Sequence, residues 1–247
     1  MRFAAIADVH GNCIALEAVL ADIAPAGISE VVNLANHFQR SNRSPPYRRA
    51  ADMARLCQHQ GRPGPGAGRR KPKRRMAACR LPATRPHAPR LARKPAADHD
   101  VSTYRDEVFL CHGSPRADTA FWLDRVTADG SIQATPLVDL EPDAVGIEAT
   151  LMLCGHTHIP RVVRLQDGRL VVNADSVGCP GYTGSKPVFH KVQTGTPDAC
   201  YAVLERTRLG WSVTFRYVPY DHMAMADVAR RHGLPAWANA LATGWVE

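Results

Sequence analysis

The chain has 247 residues, 45% of them hydrophobic, which is enough for one α/β domain with a substantial core and too few to require two. No apolar run approaches the roughly 20 residues of a membrane helix, and Asp8 interrupts the apolar N-terminus early. We therefore expect a cytoplasmic protein with no membrane partner. The formal net charge of +8 is compatible with a nucleic-acid partner, but the charge is unevenly distributed.

The first 34 residues have the pattern of a β-α-β unit. An apolar run at residues 3–7 predicts a buried strand, helical spacing at residues 13–24 predicts a helix, and residues 31–34 predict a second strand. Asn12 precedes the helix and is expected to cap it. Two strands separated by a helix predict a parallel sheet covered by helices.

Residues 39–98 differ from the rest of the chain. This segment holds 17 of the 31 Lys and Arg residues, two of the 23 acidic residues and nine of the 19 prolines. It lacks apolar periodicity, so we predict a disordered or poorly packed segment within a single domain of residues 1–247. Its basic tract at residues 69–75 would bind nucleic acid non-specifically by displacing counterions, or else is a solvated tract without function.

Strand patterns return after residue 104 and continue into the C-terminal third. Apolar or alternating runs predict strands at residues 107–111, 150–154, 162–165, 170–173, 202–204 and 211–218. A hairpin turn is predicted at Asp167-Gly168, and a final surface helix is predicted at residues 223–232.

The seven cysteines predict reduced, mostly buried thiols. Their number is odd, they form no C-x-x-C pair, and several lie in apolar stretches that predict strands. Disulfide frameworks belong mainly to small secreted domains, so this usage also favours a reducing compartment.

Two short stretches place pairs of metal-binding side chains two residues apart, directly after predicted strands. Asp8 and His10 form the first pair, and His156 and His158 form the second. Along a strand, residues at i and i+2 point to the same side, so each pair is expected to converge on one ion. One carboxylate with several imidazoles suits Mn, Fe, Ni or Zn better than Ca or Mg, and hydrolytic metal chemistry is the leading hypothesis.

Four motifs occur in order along the chain, and together they are highly specific. They are DVHGN at residues 8–12, CHGSP at 111–115, GHTHIP at 155–160 and NADSVG at 173–178. With them the chain resembles the calcineurin-like metallophosphoesterases, particularly the small bacterial and archaeal phosphodiesterase-type members. The resemblance implies an α/β fold, a sandwich of two mixed β-sheets flanked by helices.

The resemblance also implies a dinuclear metal centre. In that family two divalent ions lie about 4 Å apart, and a metal-bound hydroxide attacks the phosphorus of the phosphoester substrate. Asp8, His10 and His158 would bind the first ion, and His112 and His156 would bind the second.

Three further residues are expected to support the centre. The backbone of Gly113 and the neighbouring loops would shape the phosphate pocket. Asn173 and Ser176 would hold the loop after the last strand of the predicted hairpin, which lies near the site in relatives.

Two positions depart from the family pattern. Where relatives have an aspartate that bridges the two ions, this chain has Asn36, which is neutral and offsets less of the repulsion between two cations. The Gly-Asn-His motif, which supplies an asparagine ligand and the general-acid histidine, does not occur in residues 39–98. We retain Asn36 as a candidate ligand and assign no catalytic histidine. Nearby histidines match by residue type alone, namely His59, His87 and His99.

One hypothesis explains the missing motif and the unusual composition together: the coding frame shifts near Phe38 and returns near Tyr104. It fails if no alternative frame of the nucleotide sequence encodes a Gly-Asn-His-like motif. The sequence thus predicts a metal-dependent phosphodiesterase or phosphatase with impaired activity and one or two bound ions. The alternatives are a catalytically inactive remnant and a nucleic-acid-binding protein that uses residues 39–98.

Overall fold

The computed structural model describes residues 1–34, 90–92 and 102–247. Asn36 and most of the segment 39–98 lie outside these ranges. The strands in chain order are β1 Arg2–Ile6, β2 Glu30–Asn33, β3 Arg90–Ala92, β4 Ser102–Tyr104, β5 Val108–Leu110, β6 Asp124–Val126, β7 Ile132–Ala134, β8 Leu151–Cys154, β9 Arg161–Arg164, β10 Leu170–Asn173, β11 Gly181–Gly184, β12 His190–Gln193, β13 Ala199–Thr207 and β14 Gly210–Val218. The helices are α1 Cys13–Ile23, α2 Leu137–Leu140, α3 His222–Arg231 and α4 Pro235–Thr243, with a 3-10 turn at Glu141–Ala144.

Two mixed sheets, each of five strands within the described ranges, form the centre of the fold. In the first, of order β14-β13-β1-β2-β3, strands β1, β2 and β3 are parallel and β13 and β14 are antiparallel neighbours. In the second, of order β4-β5-β8-β10-β9, the central strands β5, β8 and β10 are parallel and both edge strands are antiparallel. The carboxyl ends of parallel strands therefore line one edge of each sheet, where ligands usually bind in α/β folds.

Successive side chains of β1 point to opposite faces of the sheet and enter two different packing layers. Phe3 and Ala5 enter an apolar cluster with side chains of the second sheet, whereas Ala4 and Ile6 face the opposite way and pack with α1. The far side of the second sheet is covered around Leu140 at the end of α2. The layers thus run helix, sheet, sheet, helix, which confirms the predicted fold class.

The predicted N-terminal unit is confirmed. Strands β1 and β2 are parallel and flank α1. The Asn12 side-chain oxygen accepts a hydrogen bond from the Ala15 amide at 3.1 Å, so Asn12 caps the helix as expected. The hairpin between β9 and β10 is also confirmed, and Gly168 has the positive φ of 89° that such a tight turn requires.

The C-terminal prediction was right about a surface helix and wrong about its being the last. Helix α3 occupies the predicted place, with Met225 and Ala229 on a buried face and Asp227 and Arg230 exposed. Helix α4 follows it and packs against it. The short strands β6, β7, β11 and β12 were not predicted.

The segment 39–98 contributes one described element. Arg90–Ala92 forms β3, whose backbone pairs in parallel with β2. The prediction that this segment is disordered or poorly packed otherwise concerns residues outside the described ranges. Within the described ranges, no helix is both long and apolar enough to cross a membrane.

Candidate metal centre

The five described side chains that were predicted to bind metal lie together where the two sheets meet. Asp8 and His10 follow β1, His112 follows β5, and His156 and His158 follow β8. Strands β5 and β8 are parallel neighbours in one sheet and β1 belongs to the other, so carboxyl ends from both sheets converge here. The fold therefore confirms that these residues form one cluster.

The Asp8 carboxylate lies at the centre of the cluster. Its Oδ2 atom accepts a hydrogen bond from the His156 amide at 2.8 Å. Its Oδ1 atom lies 3.5 Å from Nε2 of His10, 3.7 Å from Nε2 of His112 and 3.5 Å from Nε2 of His158. This Oδ1 atom is buried and has no hydrogen-bond partner among the described residues. One buried acceptor thus faces three imidazoles without being satisfied.

Asp8, His10 and His158 form the first ligand group. The two imidazole Nε2 atoms face each other at 3.0 Å. His158 Nδ1 donates a hydrogen bond to the Cys179 carbonyl at 2.9 Å, which leaves the lone pair of the neutral ring on Nε2. Such a second hydrogen bond commonly orients a metal-binding histidine.

His112 and His156 form the second ligand group. Their ring centroids are 5.1 Å apart, and both rings are buried. Both ring nitrogens of His112 lack a hydrogen-bond partner within the described part of the chain. A buried histidine without partners is costly unless something else, such as a cation, satisfies it.

The first ligand group fits a divalent cation. Two ligand atoms that each lie about 2.1 Å from one ion are about 3.0 to 3.4 Å apart at octahedral or tetrahedral angles. The separations of 3.0 and 3.5 Å within the group are close to that range. Imidazole and carboxylate ligands suit Mn, Fe, Ni and Zn.

The backbone brings the ligand pairs together in a way that the sequence argument did not foresee. Asp8, His10, His156 and His158 have φ angles of 49°, 47°, 67° and 54°, in the left-handed region that residues other than glycine seldom adopt. These residues lie in loops beyond the strand ends, so alternation along a strand is not what aligns each pair. Left-handed residues in alternate positions aim both side chains at the centre, and such strain typically accumulates at functional sites.

Close backbone contacts leave no room for side chains at two glycines. A Cβ atom on Gly155 would lie 2.8 Å from Asp8 Oδ2, and one on Gly178 would lie 1.8 Å from the Val9 carbonyl oxygen. The loop after β10 is thereby pressed against the loop that carries Asp8. Ser176 Oγ completes this contact by donating to the Asp8 carbonyl at 2.9 Å.

The Asn173 side chain holds the loop after β8 by hydrogen bonds. Its Nδ2 group donates to the Gly155 carbonyl and to Thr157 Oγ1, both at 2.8 Å. Its Oδ1 atom accepts from the Asp175 amide at 2.9 Å. Asn173 and Ser176 hold the loop after β10 as predicted, since they accept hydrogen bonds from the Asp175 and Cys179 amides.

The comparison with known families agrees with this geometry. Residues 1–195 match the calcineurin-like phosphoesterase superfamily domain. The chain belongs to the calcineurin-like phosphoesterase superfamily. Strand β13 lies beyond the matched residues but pairs with β1, so the C-terminal part completes the same sheet of the phosphoesterase fold.

One solved structure with a TM-score above 0.5 shares the fold, and two further solved structures are similar at lower TM-scores. A metallophosphoesterase from Sphaerobacter thermophilus has a TM-score of 0.52 and 22% sequence identity, with 99% of each chain covered. Wild-type Vps29 in complex with zinc, from Entamoeba histolytica, has a TM-score of 0.40 and 13% identity over 88% of this chain and 98% of that one. Yfce, a phosphoesterase from E. coli, has a TM-score of 0.36 and 17% identity over 89% of this chain and 100% of that one. No curated protein matches the chain.

Burial and the neighbouring charges shift the pKa values of four groups in this cluster. Burial raises the pKa of the Asp8 carboxyl, but the charges of His112 and His158 outweigh it and hold that pKa well below its usual range. Burial also opposes protonation of His158, yet Asp8 raises the pKa of His158 well above its ordinary value. Burial lowers the pKa of His10 and takes the pKa of His156 to about 3.

Two buried groups near the centre were missed by the sequence argument. Asp124 accepts from Thr157 Oγ1 at 3.1 Å and from Arg161 Nε at 2.8 Å, which ties the loop of the second histidine pair to β6 and β9. Cys179 was predicted only as a buried thiol, yet its carbonyl orients His158. No short-range pattern marks either residue, because both act across large sequence separations.

The remaining predictions have mixed outcomes. The candidate ligand Asn36 lies outside the described residues. Gly113 packs against a neighbouring turn, since a Cβ atom there would lie 2.5 Å from the Asp118 carbonyl oxygen, and its role in a phosphate pocket stays a prediction. Five cysteines are free and buried as expected, and these are Cys13, Cys111, Cys154, Cys179 and Cys200.

Proposed function

We propose that this chain is a metal-dependent phosphoesterase, built as one domain of residues 1–247, that hydrolyses a phosphoester substrate at the Asp8 centre. The observation that carries the proposal is the buried Asp8 Oδ1 atom, which faces the Nε2 atoms of three histidines without a hydrogen-bond partner in the described ranges. A cation would satisfy these four atoms together. Membership of the phosphoesterase superfamily supports the reaction class.

The candidate ligands form two groups, one for each of two metal ions. Asp8, His10 and His158 would hold a first ion, and His112 and His156 would hold a second beside it. The chemistry that such ions supply is polarisation of the phosphoryl oxygens and activation of water for attack on phosphorus. Asp8 would orient both groups, because its Oδ2 atom fixes the His156 amide while its Oδ1 atom faces the histidines.

We also propose that hydrolysis is slow in this chain because the second ion is held weakly. Asn36 stands where an aspartate is expected, and a neutral amide does not offset the repulsion between two dications. Asn36→Asp is the direct test. It should raise the affinity for the second ion and the hydrolysis rate together, whereas an unchanged rate and an unchanged metal content would contradict this account.

The test of the main proposal combines metal content with hydrolysis. The chain is expressed with added Mn²⁺, freed of loosely bound ions and measured by elemental analysis. Activity is then measured on bis-p-nitrophenyl phosphate and p-nitrophenyl phosphate, with Asp8→Asn as the site-directed control. Metal-dependent hydrolysis that is abolished by Asp8→Asn supports the proposal. A chain that binds no ion and hydrolyses neither ester at any metal concentration overturns it and leaves an inactive remnant.

A further inference from the structure

The thiol of Cys179 lies beside the first ligand group. A ring nitrogen of His10, a ring nitrogen of His158 and the Sγ atom of Cys179 lie within 4.8 Å of one another. Cys179 is 2% exposed, and its thiol makes a weak hydrogen bond to the Gly181 carbonyl at 3.5 Å. The ligand set implied by the sequence resemblance does not include this residue.

The backbone of Cys179 is fixed on both sides of the thiol. Its amide donates to Ser176 Oγ at 2.9 Å, and its carbonyl accepts from His158 Nδ1 at 2.9 Å. Gly178, the preceding residue, contacts the loop of Asp8 too closely to carry a side chain. The residue that orients one ligand histidine thus holds a sulfur atom in place next to it.

A second observation points to a ligand beside the same two histidines. Asp8 Oδ1 is buried, has no hydrogen-bond partner within the described ranges and lies 3.5 Å from Nε2 of both His10 and His158. Two imidazoles and one carboxylate are three ligands, and a tetrahedral ion takes four. A dication beside one carboxylate keeps a net charge of +1, which is costly in a buried site. A thiolate would supply the fourth ligand and the missing negative charge.

We propose that Cys179 coordinates, as a thiolate, the ion held by Asp8, His10 and His158. The inference rests on the proposed function, because it assigns one more ligand to the same centre. The sulfur–metal bond forms as the thiol proton leaves to solvent, and no oxidant or reductant takes part. Thiolate ligands favour Zn²⁺ and related softer ions over Mn²⁺, so this position is zinc-selective.

The test uses Co²⁺ as a spectroscopic probe of the full-length, metal-free chain. A thiolate bound to Co²⁺ adds charge-transfer absorption in the near ultraviolet, separate from the visible bands that any bound Co²⁺ shows. In the wild type, we expect this absorption to grow and saturate with the first equivalent of Co²⁺. It should be absent in Cys179→Ser and present in Cys13→Ser, a matched variant at another buried cysteine. Zn²⁺ affinity of Cys179→Ser should fall roughly 10- to 100-fold, with little change for Mn²⁺.

The outcomes separate this inference from the proposed function. Visible Co²⁺ bands without charge transfer in the wild type would overturn the role of Cys179 and leave the phosphoesterase proposal intact. Charge transfer that persists in Cys179→Ser would assign the bond to another cysteine and also overturn it. No Co²⁺ binding would overturn both. If Cys179→Ser fails to fold, Cys179→Asp keeps a charged ligand, and it should bind Co²⁺ without the charge-transfer absorption.

Discussion

The two ligand groups of the centre are supported to different extents by the described structure. In the first ligand group, Asp8, His10 and His158 place their ligand atoms 3.0 to 3.5 Å apart. In the second ligand group, His112 and His156 contribute two imidazoles, and the nearest carboxylate oxygen to His112 Nε2 in the described ranges is Asp8 Oδ1 at 3.7 Å. The described residues thus bring one carboxylate and two imidazoles together in the first group, whereas the second group consists of two imidazoles with the Asp8 carboxylate farther away.

The loops behind both groups are held by hydrogen bonds, so the two groups differ in their ligand atoms and not in how their loops are bonded. The first group is backed by Ser176, which binds the Asp8 carbonyl, and by Cys179, which binds His158. The second group is backed by the His156 amide, which donates to Asp8 Oδ2 at 2.8 Å, and by the Gly155 amide, which donates to the His112 carbonyl at 2.8 Å. The Tyr182 hydroxyl also donates to the His156 carbonyl at 3.4 Å. We therefore expect tight binding of one ion and weak binding of a second.

The largest effect is expected from Asp8→Asn, because Asp8 contacts both groups. Loss of its charge should abolish detectable metal binding and lower hydrolysis by at least about 100-fold, as for other groups that stabilise charge in the transition state. Metal titration and steady-state kinetics measure the two effects. Asp22→Asn, which removes an ion pair with Arg216 far from the centre, should leave both unchanged. Retention of one tightly bound ion by Asp8→Asn would contradict the central position of this carboxylate.

His158→Gln and His156→Gln form a matched pair in one loop. His158→Gln should remove the tightly bound ion, whereas His156→Gln should leave about one ion per chain and weaken only the second. Isothermal titration with Mn²⁺ and Zn²⁺ distinguishes the two variants. Equal losses of metal in both variants would show that the two positions are not independent. They would contradict the assignment of one tight and one weak metal position.

The buried Asp175 carboxyl, near the first ligand group, should make the free energy of unfolding depend on pH. Burial raises the pKa of Asp175 to about 7, compared with about 4 in an unfolded chain. The contribution of the protonated Asp175 carboxyl to the free energy of unfolding is therefore complete below about pH 4. It is lost as the pH rises through 7. In Asp175→Asn the side chain cannot ionise, so the free energy of unfolding should not fall in this way as the pH rises. Asn also tolerates the left-handed φ of 69° at this position. At pH 8 the substitution should raise the free energy of unfolding by a few kcal/mol, about 4 at most.

Urea unfolding of the metal-free protein at pH 5 and pH 8 measures this effect. Asp139→Asn, at an exposed carboxylate, is the control and should behave as the wild type. The same dependence of stability on pH in Asp175→Asn and wild type would show that the Asp175 carboxyl is not protonated in the folded state.

The smallest effect is expected from Thr157→Val, between the two histidines of one loop. The substitution keeps the side-chain shape but removes the hydroxyl that donates to Asp124 and accepts from Asn173. Each buried partner loses a hydrogen bond, so the free energy of unfolding should fall by about 2 kcal/mol. Affinity for both ions should fall by a similar factor, because the whole loop is loosened. A selective loss of one ion would show that the loop does not move as a unit.

Local patterns were sufficient for most of the fold. Apolar runs located β1, β2, β5, β8 and β10, and the capping residue Asn12 marked the start of α1. The elements that were missed are short, such as β6 and β7, or have small residues in place of a clear apolar period, as in α4. These elements are stabilised by packing against residues that are distant in the sequence, so a short stretch of sequence does not reveal them.

For the candidate centre, the residue types were predictable and their arrangement was not. The motifs at residues 8–12, 111–115 and 155–160 contain all five clustered candidate ligands. The reason given for their convergence was wrong, because left-handed backbone in loops, and not alternation along strands, aims the side chains. The sequence also gave no sign that Cys179 lies beside His10, since 169 positions separate them.

The sequence by itself determined the superfamily, the order of the layers and the chemical types of the ligands, because these depend on motifs and on periodicity within short windows. Tertiary structure decided which atoms meet. Asp8 Oδ1 faces three histidines from two different sheets, and the thiol of Cys179 lies near two of them, His10 and His158. Distances between strand ends are fixed only when both sheets pack face to face, so this part of the site follows from the fold as a whole.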